Sequence, residues 1–130
     1  MNIIHGVLFV VHLVASLAAT VILIVMRSEA RRRIAAQAGA RDIVPRNVAV
    51  RLFHLIPVTG ALVVATSEGD ISWSASWVVV GLVLYVIGAV VLEARALPAE
   101  RRSDDRTVIR SVEWCVVLLA LAALVMLIQF

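Results

Sequence analysis

The chain has 130 residues, 62% apolar and 16% charged, a balance that leaves room for one domain and excludes an ordinary water-soluble globule. Its formal charge of +3 comes from twelve arginines without a single lysine. The arginines flank apolar runs, so nucleic acid is not expected as a partner; the lone Cys115 excludes an intrachain disulfide or a cysteine-based metal site.

Four runs free of Asp, Glu and Arg follow in order, at residues 3–26, 52–67, 71–92 and 114–130. A helix needs about 20 apolar residues to cross a ~30 Å hydrocarbon core. The runs therefore predict an all-α, polytopic membrane protein, with four transmembrane helices in an up-down bundle. One domain covers 1–130, with helices over residues 3–26, 47–67, 71–94 and 108–129. The second and fourth runs reach full length only with Arg51 and Arg110 at the boundary, their guanidiniums turned to the headgroups. Nothing alternates with period two over ten-residue segments, which excludes barrel strands. The first run has arginines after it and none before, so it is expected to persist as a helix rather than act as a signal peptide.

On helix one, His5, His12, Ser16 and Thr20 share a face at about 100° per residue, a polar stripe expected to turn toward the other helices. His12, the deepest ionisable group, is read either as an imidazole bonded to a neighbouring helix or as a contact for haem, metal or quinone. His5 is expected to be solvated at the membrane surface. The helix should continue past the membrane through residues 28–37 and stop near Gly39. There Arg31, Arg32 and Arg33 are candidates for anionic lipid headgroups, or serve topology alone.

Pro45 suits the first turn of helix two. Pro57 frees the carbonyl of Phe53 and predicts a kink near His54; Thr59, about 140° round the helix, cannot share the face of His54. On helix three, Trp77, Gly81, Tyr85 and Gly88 form a face whose glycines permit close approach. On helix four, Glu113 is placed to pair with Arg110 of its own helix.

The twelve arginines fall between helices one and two and between helices three and four, and none lies between helices two and three. Positive residues in short loops stay inside, so both arginine-rich loops are expected in the cytoplasm and both termini outside. Trp73 and Trp77 then sit at the outer interface and Trp114 at the inner one. Short similarities after helices one and three, and at the starts of helices two and four, describe two parallel hairpin repeats. This orientation puts His54, Tyr85 and Glu113 at one depth in the inner leaflet, a candidate polar cluster edged by Arg51 and Arg110. His12 lies roughly 12 Å away in depth, at ~1.5 Å per residue, so His12 and His54 are not expected to share one haem iron.

Pro57-Val-Thr-Gly60, Trp73, Trp77 and Val78-Val-Val-Gly81-Leu-Val-Leu-Tyr85 carry a resemblance to small actinobacterial predicted integral membrane proteins of unknown function. More distantly the chain resembles four-helix membrane proteins of the copper-resistance D and protoporphyrinogen-oxidase types. That resemblance implies a bacterial cell membrane and a helix-one histidine able to serve haem b, which would be His12. No catalytic motif, metal-ligand spacing or phosphate loop is present. A small exporter would need a carboxylate in the middle of helix one, where this chain has His12. The leading expectation is a non-enzymatic accessory or assembly subunit of a larger membrane complex, or a homo-oligomer, with no cofactor. The alternative is a haem- or quinone-associated redox protein using His12.

Overall fold

The computed structural model of the chain describes residues 3–36 and 46–129. They form four helices, α1 (Ile3–Ala36), α2 (Arg46–Ala65), α3 (Ser76–Arg101) and α4 (Asp105–Gln129). Each is long and apolar enough to cross a membrane, and no strand occurs among the described residues. The fold is the all-α, four-span architecture expected from the apolar runs.

The ends of the helices differ from expectation in ways local chemistry explains. With 34 residues, α1 measures about 51 Å at ~1.5 Å per residue, well beyond a ~30 Å hydrocarbon core. Its extension past Met26 is rich in alanine and arginine and lacks glycine and proline, so nothing stops it within the described residues. The expected stop at Gly39 and the place of Pro45 lie outside those residues. α3 starts at Ser76 rather than residue 71, because the preceding segment folds around Ser67. The buried Ser67 hydroxyl donates to the Val64 carbonyl at 2.8 Å and accepts the Ile71 amide at 3.1 Å. Glu68 and Gly69 take positive φ of 56° and 97°, the left-handed turn that closes α2. Trp73 consequently lies in this connection rather than in α3.

At its other end α3 runs past residue 94 to Arg101, through one π-turn at Leu92–Ala96. The Asp104 amide then bonds the Ala99 carbonyl at 2.9 Å, with Ser103 at φ 57°. The Asp104 carboxylate accepts the Thr107 amide at 3.2 Å and so caps α4, which begins three residues before the expected 108. The Thr107 side chain, then its amide, hold the Asp104 carboxyl below the usual carboxylate range.

α1 packs closely on α2 and on α4, and α3 on α4, whereas the backbones of α2 and α3 stand further apart and meet through side chains. The core gathers at the arginine-rich end, around Leu23 and Ala30, Phe53, Leu92 and Ala96, and Val108 and Val112, all essentially inaccessible. Phe53 fits there because Gly88 has no side chain; a Cβ on Gly88 would lie 2.9 Å from the ring edge. Beside it the Cys115 thiol donates to the Gly88 carbonyl at 3.4 Å. Toward the opposite end, Leu82 and Val86 of α3 and Leu121 and Leu124 of α4 are exposed. Two exact hairpin repeats would pair α2 with α3 as closely as α1 with α4; the structure departs from that symmetry at the α2–α3 seam.

Candidate functional site

Two polar constellations flank the open seam. The first joins α1 to α2. His12 Nδ1 lies 2.9 Å from the Thr59 hydroxyl, itself 2.8 Å from the Leu55 carbonyl and 3.0 Å from that of Ile56. With the single Thr59 hydrogen on these backbone acceptors, the imidazole donates from Nδ1 and its Nε2 is left as the acceptor. Gly60 makes the approach possible, since a Cβ there would stand 3.2 Å from His12 Cε1. The polar stripe of α1 thus faces α2 at His12 and again at His5, whose Nδ1 is 3.2 Å from the Thr66 hydroxyl. His5 is therefore a second interhelical contact and not simply a surface-solvated group. Ser16 and Thr20 instead donate to their own helix, at the carbonyls of His12 and Ser16, each at 2.9 Å.

The second constellation joins α2 to α3. His54 Nδ1 lies 2.5 Å from the Tyr85 hydroxyl, and His54 Nε2 is bonded to the Glu93 carboxylate. An ionised carboxylate only accepts, so with His54 neutral Nε2 carries the hydrogen and Nδ1 accepts that of Tyr85. Tyr85 is held in place by its ring, stacked on Phe53 with centroids 5.3 Å apart. His54 and Glu93 are each about half exposed.

The expected cluster of His54, Tyr85 and Glu113 is therefore divided. Glu93 completes the first two, while Glu113 faces α1, bonded to Arg27 at 2.7 Å with Arg31 at 3.6 Å. The expected Glu113–Arg110 pair is replaced because α4 packs that face against the α1 extension. Arg51 and Arg110 are exposed. Of the three arginines expected at headgroups, Arg31 and Arg32 are exposed, but Arg33 is turned inward to Asp105 at 2.7 Å, tying α1 to the start of α4. Glu93 had no signal of its own: the helix sets it ~80° round from Tyr85, and whether both meet His54 depends on how α3 is rotated against α2.

Between the two constellations lies a cavity of about 180 Å³. Its walls include Phe9 and His12 of α1, Ile56, Pro57 and Gly60 of α2, Trp77, Gly81 and Tyr85 of α3, and Met126 of α4. The lining is apolar apart from His12, Tyr85 and two indoles. Sites for drug-sized ligands span ~300–1,000 Å³, so this one admits a single substituted ring and not a porphyrin. Both ring nitrogens of His54 are engaged, which removes it as an iron ligand in this arrangement. Haem b does not fit the residues as they stand. Among the described residues, no group of three His, Cys, Asp or Glu converges to hold a metal ion.

Comparison with protein-family models, curated proteins and solved structures finds no match to this chain. The fold defines an all-helical protein with four helices able to span a membrane.

Proposed function

We propose that this chain is a small non-enzymatic protein of the bacterial cell membrane that binds an apolar, ring-bearing molecule of the quinone class. It is multi-pass, with both termini outside and the arginine-rich ends of its helices in the cytoplasm, as the distribution of arginines favours. The observation that carries the binding role is the apolar cavity at the α2–α3 seam, with the His12 imidazole and the Tyr85 phenol as its polar fixtures. An apolar pocket with a few placed polar groups is the usual form of a small-molecule site. A titration of the purified protein in lipid nanodiscs with a short-tailed benzoquinol, followed through Trp73 and Trp77 emission, tests it. Saturation near one molecule per chain is expected. Uptake no different from that of protein-free bilayers would overturn the reading.

A second reading is favoured by the exposed apolar surfaces of α3 and α4. There the chain serves as an accessory or assembly subunit, or as one copy of a homo-oligomer, and a neighbouring helix completes the bundle. Co-purification with a larger complex in mild detergent supports it, and a solitary monomer counts against it.

A further inference from the structure

With His54 neutral, the polar groups of the cavity both act as acceptors, and this decides which ligands they suit. At His12 the donor hydrogen sits on Nδ1 and is directed to Thr59, because the Thr59 hydroxyl spends its own hydrogen on the carbonyls of Leu55 and Ile56. Nε2 keeps a lone pair and has no hydrogen to give. With His54 neutral, the phenolic hydrogen of Tyr85 goes to His54 Nδ1, because the Glu93 carboxylate holds the other ring hydrogen at Nε2. The phenol oxygen keeps its lone pairs. Two hydrogen-bond chains, anchored outside the cavity by backbone carbonyls and by a carboxylate, set the same polarity from opposite helices.

We infer that the cavity selects apolar molecules that donate hydrogen bonds, such as phenols and hydroquinols, over carbonyl or ether counterparts of the same shape. The inference rests on the cavity being a binding site, and it adds the chemistry that site prefers. A hydroquinol or phenol hydroxyl offers a hydrogen to Nε2 of His12 or to the oxygen of Tyr85. A quinone carbonyl or an aryl ether brings only lone pairs to acceptors already without hydrogens. Buried polar atoms left facing one another cost more than a hydrogen bond gains, so the discrimination exceeds that of size alone.

The test uses a redox-inert pair, 4-heptylphenol and its methyl ether, which share one apolar body and differ in the donor. Each is titrated into the full chain in nanodiscs, reading the saturable part of the tryptophan signal. The phenol is expected to bind about tenfold tighter than the ether, the ratio that a hydrogen bond of ~1.4 kcal/mol supplies. His12→Phe and Tyr85→Phe keep a ring in place and remove an acceptor; each should lower the phenol-to-ether ratio several-fold at unchanged helicity. Equal saturable binding of phenol and ether would overturn the preference while leaving the cavity a binding site. A ratio unmoved in both variants would overturn the assignment to His12 and Tyr85. If neither probe saturates, the binding role fails and the preference falls with it.

Discussion

Glycine placement decides how closely the helices approach, and two residues of α3 show the difference. A Cβ at Gly88 would stand 2.9 Å from Cζ of Phe53, a ring that is 1% exposed and stacked on Tyr85. A Cβ at Gly81 would meet only the end of Met126, at 3.0 Å, and an unbranched thioether can swing aside. Gly88→Ala is expected to destabilise the bundle by about 1–3 kcal/mol, the range of overpacking in a filled core. Gly81→Ala should change stability by less than about 0.5 kcal/mol. Helix content followed through a denaturing-detergent titration measures both, and equal effects at the two sites would show that Phe53 is not constrained as described. His12 was legible at this scale: its place on the polar stripe of α1 and the offset of Thr59 from His54 both followed from 100° steps. Glu93 was not, because its contact with His54 depends on how α3 is rotated against α2, a tertiary property.

At the scale of whole helices, ion pairs hold the α1 extension to α4, and the two shortest of those described differ in burial. Arg33 and Asp105 are 18% and 14% exposed, against 34% and 42% for Arg27 and Glu113. Removing one partner costs more where the pair is less accessible, because an accessible pair is screened and partly rehydrated. Asp105→Asn should therefore cost about 2 kcal/mol and Glu113→Gln at most about 1 kcal/mol, measured by the same titration. The reverse order would contradict the packing of α1 on α4. The extension of α1 was readable from its alanines and arginines. Which carboxylate each arginine meets was not, since that depends on how α4 is rotated against α1, a tertiary property. The late start of α3 was hidden for a similar reason, as Ser67 and the positive-φ turn after it override an apolar run that would otherwise have been helical from residue 71.

For the molecule as a whole, the number of helices and the arginine asymmetry are plain in the sequence because the bilayer imposes length and charge rules on the chain directly. The cavity is not plain, because it arises from unequal helix spacing: α1 packs closely on α2 and α4, and α4 on α3, while α2 and α3 meet through side chains such as Phe53, His54 and Tyr85. Its walls draw on all four helices, so no local pattern marks it. The most direct measurement is photolabelling in nanodiscs with a diazirine-bearing alkylphenol, mapped by peptide sequencing, with unlabelled 4-heptylphenol as competitor. Competable labelling confined to cavity residues such as Phe9, Gly60, Ala61, Gly81 and Met126 is expected. Labelling that the competitor does not reduce, spread over outward residues such as Val10, Leu17, Leu124 and Leu127, would show that the seam holds no ligand site.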